Sequence, residues 1–191
     1  MRKLILQEWI SLDGFAADEN GQTDFFNKPE YNEESEDDVL DFMGTIDAIL
    51  LGSRTYRMFV EYWPTVTTEV ETIADKLNET PKIVFSRMVD HVPWGKWNDA
   101  RIVNRNAVEE VTRLKNKSGL DMVLWGSLSL AQSLLRAELI DEIQLRVCPV
   151  ILGKGKRLFS EEMKHLELEL LETQSFKSGL VFLKYQPIYT S

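Results

Sequence analysis

The chain has 191 residues, with 22 Lys and Arg against 31 Asp and Glu, a formal charge of −9 and 43% hydrophobic residues. That length suits one domain with a sizeable core over residues 1–191, and the composition excludes disordered, collagen-like and fibrous classes. The acidic balance, with a pI near 4.8, speaks against nucleic acid or an anionic membrane surface as partner, because both need basic surface.

The single cysteine, Cys148, excludes an intramolecular disulfide and any Cys-based zinc cluster. His91 and His165 lack a metal-ligand spacing, so no metal is expected. The first residues begin basic and apolar, but Glu8, Asp13 and Asp18 interrupt them before a leader-like stretch develops. No window approaches the ~20 apolar residues of a membrane span. A cytoplasmic protein is expected.

In chain order, Leu4 to Leu12 reads as a buried strand closed by Asp13-Gly14. Ala17 to Glu34 is polar, broken by Gly21 and Pro29, and reads as a long loop. Ser35 to Gly44 predicts a helix, Ile46 to Leu51 a buried strand, and Thr55 to Phe59 a helix start. Thr67 to Asn78 predicts an amphipathic helix, and Pro81–Phe85 and Arg101–Val103 predict strands. Ala107 to Lys117 is helical, with Val108, Val111 and Leu114 along one face. Leu120–Trp125 predicts a strand and Leu128–Arg136 a helix.

Strands alternating with helices imply parallel pairing through helical crossovers, hence an α/β fold of three layers with a mostly parallel central sheet. Beyond it, Ile143–Leu152, Leu166–Ser175 and Gly179–Pro187 read as consecutive strands, an antiparallel hairpin on the sheet edge.

Two places repeat one design: an apolar strand, a glycine, then hydroxyl residues opening a helix. They are Leu50-Leu51-Gly52-Ser53-Arg54-Thr55 and Leu124-Trp125-Gly126-Ser127-Leu128-Ser129-Leu130. Glycine lets an anion approach the unpaired N–H groups of a helix start, so each suits a phosphate; each also suits a plain turn and helix cap. Together, at the carboxyl ends of strands in one sheet, they suit a dinucleotide. Neither matches G-x-G-x-x-G or the P-loop pattern. Phe85-Ser86-Arg87 ends a further strand with a hydroxyl and a guanidinium suited to a ribose phosphate.

These segments, with Ser11-Leu12-Asp13-Gly14-Phe15-Ala16-Ala17, Leu139-Ile140-Asp141-Glu142 and Pro149-Val150-Ile151-Leu152-Gly153-Lys154-Gly155-Lys156-Arg157-Leu158-Phe159, resemble the dihydrofolate reductase-like superfamily. The branch most similar is the C-terminal reductase domain of the bifunctional riboflavin-biosynthesis deaminase–reductase. The resemblance implies a homodimer with NADPH as hydride donor. Carried over by position, Gly52, Ser53, Arg54 and Thr55 would hold cofactor phosphates, Ser86 and Arg87 the adenosine 2′-phosphate, and Gly126, Ser127, Leu128, Ser129 and Leu130 the pyrophosphate. Ala16 would lie in the same cofactor site.

The chain departs from the family at Ser127, where the family has a second glycine, and at Phe59–Val66, where it has a phosphate-gripping segment. Trp125 stands where the family tends to carry a glutamate. Aromatics in place of charged groups point to a flat heteroaromatic substrate, pterin-like or pyrimidine-like. The alternatives are the riboflavin-pathway substrate 5-amino-6-(5-phosphoribosylamino)uracil and a nucleotide-binding module without turnover.

Hydride transfer asks the protein for orientation, electrostatics and a proton. Asp13, ending the first strand, is the candidate polar group beside the nicotinamide, or else a turn-forming Asp-Gly. Trp9 and Phe25 are candidates for stacking on the substrate, as is Trp63, and Asp24 is a candidate for the substrate-binding carboxylate.

Overall fold

A computed structural model describes residues 1–189. Its frame is an eight-stranded sheet in the order β5-β4-β3-β6-β1-β7-β10-β9. The parallel strands are β1 (Leu4–Ser11), β3 (Ile46–Gly52), β4 (Lys82–Phe85), β5 (Arg101–Val103), β6 (Asp121–Trp125) and β7 (Glu142–Cys148). Antiparallel β9 (Glu167–Ser175) and β10 (Val181–Ile188) close one edge. The expected mixed α/β architecture with a C-terminal antiparallel edge is therefore present.

Side-chain alternation along β1 and β3 splits the interior in two. On one face Leu4, Leu6, Ala48 and Leu50 pack with Val111 and Leu114 of α4 (Ala107–Lys115) and Leu130, Leu134 and Leu135 of α5 (Leu128–Arg136). On the other, Ile49 and Leu51 pack with Met43 of α1 (Pro29–Met43), Tyr56 of α2 (Ser53–Tyr62) and Leu77 of α3 (Ala74–Glu79). Successive crossovers thus cover opposite faces: the helix after β3 lies on one and the helix after β6 on the other. Since β3 and β6 are neighbours, the sheet opens a crevice between those two helix starts.

Several expected boundaries shift for local reasons. The helix placed at Ser35–Gly44 begins at Pro29, whose fixed φ and missing N–H suit the first helical turn. The helix placed at Thr67–Asn78 survives only as α3; the β-branched run Val66-Thr67-Thr68 forms a separate turn in which Thr67 accepts from the N–H groups of Val70 and Glu71. The strand placed at Ile143–Leu152 stops at Cys148, because Pro149 has no N–H for the ladder. The loop placed at Ala17–Glu34 carries a 3-10 turn at Asp24–Phe26, and a second, two-stranded sheet pairs β2 (Phe15–Ala17) with β8 (Lys156–Arg157). Among the described residues no helix is long and apolar enough to cross a membrane.

Trp94 anchors the α2 side of the core. It is fully buried, its Nε1 donates to Asn78 Oδ1 at 2.7 Å, and the Lys82 ammonium lies 4.5 Å from its ring centroid. Trp94→Ala is expected to cost about 3–5 kcal/mol. Urea unfolding checks this, with the slope of the transition unchanged.

Candidate active site

The two glycine turns meet. The Gly52 N–H donates to Ser127 Oγ at 2.5 Å, the Ser127 N–H donates to Thr55 Oγ1 at 3.0 Å, and the two hydroxyl oxygens lie 3.0 Å apart. Gly126 and Ser127 both take positive φ, 57° and 59°, a left-handed step that is unusual for serine. The packing is close enough to exclude side chains at either glycine: a Cβ on Gly52 would lie 2.9 Å from Ser127 Oγ, and one on Gly126 2.8 Å from Thr55 Oγ1. Neither α2 nor α5 has a side-chain cap on its N-terminus, so each presents free N–H groups and the positive end of its dipole to this crevice.

Other residues named from the sequence fall around these turns. Arg54 is exposed, its guanidinium beside Gly21. Ser129 is exposed on the first turn of α5, Leu128 is half-buried and Leu130 belongs to the core. Ala16, in β2, is also a core residue. Ser86 and Arg87 line a cleft of about 350 Å³ at the ends of β4 and β5. The same cleft holds Arg105, which sequence reading missed, held at 2.5 Å by the buried Glu110. Glu110 also binds Arg101 and Arg113, and hydrogen bonding to Arg113 is the largest cause of its pKa falling to about 2.

On the α1 face, Trp9 and Phe25 share a small cluster with Tyr31 and Cys148. The ring stacked nearest Trp9 is Phe26, at 5.5 Å, with Phe25 edge-on to Phe26 at 5.2 Å. Asp24 is exposed at the start of this turn. Trp63 lies apart from that cluster, 6.2 Å from Phe59, which in turn lies 6.0 Å from Trp125. The segment from Phe59 and the residue before the second glycine turn, Trp125, thus touch each other.

Asp13 holds two loops together. Its carboxylate accepts from Ser11 Oγ at 2.7 Å, Leu152 N–H at 3.1 Å and Gly153 N–H at 2.7 Å. These bonds, Ser11 first, lower its pKa to about 2, so near neutrality Asp13 has no proton to give.

Glu8 is the opposite case and was not singled out from the sequence. Hydrogen-bonded pairing of β1 with β6 ends at Gln7↔Trp125, and Glu8 follows where the strands part. Its Oε1 accepts from the Trp9 N–H at 3.3 Å, the Gly126 N–H also reaches the carboxyl, and Oε2 is buried without a partner among the described residues. Burial outweighs these bonds and lifts its pKa to about 8, which keeps it protonated at neutral pH. The sequence held a signal: in the alternation Leu4, Leu6, Glu8, Ile10, an acid occupies a core-facing position.

The RibD C-terminal domain model matches residues 2–182. The chain belongs to the RibD C-terminal domain family. YyaP, an uncharacterized protein of Bacillus subtilis (strain 168), is 33% identical over 188 residues, covering 96% of this chain and 94% of YyaP. The same fold, at 22% identity and a TM-score of 0.77, occurs in a putative riboflavin biosynthesis protein from Shewanella sp. PV-4, with 98% of this chain and 99% of that one covered. It extends to an Enterococcus faecalis dihydrofolate reductase complexed with NADP(H), at 13% identity and a TM-score of 0.61, covering 97% and 96%. Within this RibD-type frame, Glu8 and the paired turns occupy one crevice.

A carboxyl protonated in the fold but ionised when unfolded makes stability fall as pH rises between the two pKa values, here about 4.5 and 8. Glu8→Gln is expected to flatten that slope and to gain about 1–4 kcal/mol over the wild type on going from pH 5 to pH 8. Denaturant titration of both proteins at the two pH values checks it, and equal slopes would place the raised pKa elsewhere.

Proposed function

We propose that this chain is an NADPH-dependent reductase transferring a hydride to a small planar heterocycle, pterin-like or pyrimidine-like. The observation that carries the reading is the direct bond from Gly52 to Ser127, which sets two uncapped helix starts side by side at the carboxyl ends of neighbouring strands. Such a pair suits the diphosphate of a dinucleotide.

The residues present fit that group. The free N–H groups at Ser53, Arg54, Leu128 and Ser129 would hold its phosphates, and the Ser86, Arg87 and Arg105 cleft would hold a 2′-phosphate between two guanidiniums. When bound, the nicotinamide dinucleotide supplies the hydride. The chain's own part is to hold the acceptor ring against Trp9 and the Phe25–Phe26 turn, and to keep a proton on Glu8 at the mouth of the crevice. Glu8 lies on the opposite face of β1 from Trp9, so the proton it keeps stands beside the Gly126 turn, on the dinucleotide side of the crevice.

The RibD kinship favours a pyrimidine among the planar rings. The Phe59–Trp125 contact supports a substrate without a sugar phosphate on that side, since aromatic rings stand there in place of a phosphate grip. A second reading, dinucleotide binding without turnover, is favoured by Ser127, whose side chain takes the Gly52 N–H that a phosphate would otherwise use.

NADPH titration, followed by its absorbance in the presence of a dihydropterin or of the riboflavin-pathway pyrimidine, tests the proposal. Saturable binding with oxidation supports the reductase; binding without oxidation of either supports the second reading; absence of binding removes both. Arg87→Ala and Arg105→Ala are each expected to weaken NADPH about 10-fold or more while leaving NADH nearly unchanged. Equal losses for the two dinucleotides would remove the 2′-phosphate assignment.

A further inference from the structure

The α1 face of the sheet carries a second polar group that the fold leaves unsatisfied. Arg146, in β7, is 3% exposed, and its Nε and Nη1 are buried with no hydrogen-bond partner among the described residues. In register it sits between Trp9 of β1 and Phe182 of β10, and its guanidinium lies 5.6 and 5.2 Å from those ring centroids. Burial pulls its pKa down to about 10; the carboxylate acting on it is Asp38 of α1, which opposes that fall without forming an ion pair.

Its polar neighbours on the same face are already spoken for. Trp125 Nε1 donates to Gln7 Oε1 at 2.8 Å, Gln7 Nε2 to Gln144 Oε1 at 2.7 Å, and Gln144 Nε2 to Glu142 Oε1 at 2.7 Å. Glu142 is further paired with Lys3 and Lys184, at 3.6 and 3.7 Å. The line of amides ends at Glu142 and its lysines and does not include Arg146.

Ring faces offset only part of the desolvation of a guanidinium, and a buried N–H without an acceptor is a standing cost. A folded chain tolerates that cost where a ligand supplies the missing acceptor. Trp9 and Phe182 are themselves only half-buried, so the rings beside the cation are also open to a flat guest.

We propose that Arg146 is a specificity-determining residue that binds a planar heteroaromatic anion, its fork taking the carboxylate or enolate oxygen while Trp9 bears the ring. A guanidinium pairs two oxygens of such a group in one plane, which an ammonium does not. The assignment deepens the reductase reading and rests on it for the ring's position beside the dinucleotide site; the anion requirement follows from Arg146 alone.

Calorimetric titration of the full chain without dinucleotide tests it, with three probes. Orotate carries ring and carboxylate, uracil the ring alone, and inorganic phosphate the charge alone. Orotate is expected to bind at least 10-fold tighter than either of the others. Arg146→Met is expected to lose that binding by 10-fold or more while the melting temperature stays level or rises, because an unpaired buried charge has gone; Arg146→Lys is expected to recover only a fraction. Trp9→Leu is expected to weaken orotate and leave phosphate unchanged.

Orotate binding that survives Arg146→Met within twofold overturns the proposal. So does a melting temperature that falls in Arg146→Met and returns in Arg146→Lys with orotate affinity unmoved, which would make the cation structural. Uracil or phosphate binding as tightly as orotate overturns it too. These readouts need no turnover, so loss of the reductase reading through absent NADPH oxidation is a separate result.

Discussion

The structure depends on a hydrogen bond between two turns that lie 75 residues apart in the chain, Gly52 to Ser127. It fixes the start of α2 against the start of α5 and thereby turns two ordinary helix ends into one concave, electropositive site. The bond demands a glycine at 52, because a side chain there collides with Ser127, and a backbone in the left-handed region at 126 and 127. A serine in that region costs about 1 kcal/mol relative to glycine. Its hydroxyl and N–H offset the strain by closing a cycle with Gly52 and Thr55.

Around that joint, the fold was legible where local chemistry and tertiary packing agree. Helix α5 was readable to the residue, since Gly126 breaks the strand before it and Leu130, Leu134 and Leu135 mark one face. The segment from Thr67 has helical spacing but forms a turn, because its β-branched residues disfavour the helix. The β2–β8 pair has no local signature: two very short segments pair only because distant parts of the chain bring them together. The site divides in the same way. Glycine turns, the Ser86-Arg87 end of β4 and the aromatic candidates were visible as residue types at strand ends. Arg105 was not, since its place depends on the Glu110 cluster. Glu8 and Arg146 were hidden inside strands, where only strict attention to which face each residue occupies would show a charge pointing inward.

Glu8 and Arg146 lie on opposite faces of adjacent strands and share one property: a buried polar atom with no partner among the described residues. Asp13 shows the contrasting use of a carboxylate, fully engaged by a hydroxyl and two amides and held ionised. One acid fastens loops; the other stays neutral, with one oxygen left over. Stability favours the first arrangement and chemistry the second.

The strand order also dictates a sequence of events during synthesis. β1 lies in the middle of the sheet, yet its two neighbours, β6 and β7, begin at Asp121 and Glu142. As the nascent chain leaves the ribosome, β1 must wait, apolar and unpaired, until the residues up to Asp121 have followed. The Asp13 clamp on Gly153 closes later still, so the turn that ends β1 is fastened only after both neighbours of that strand are in place.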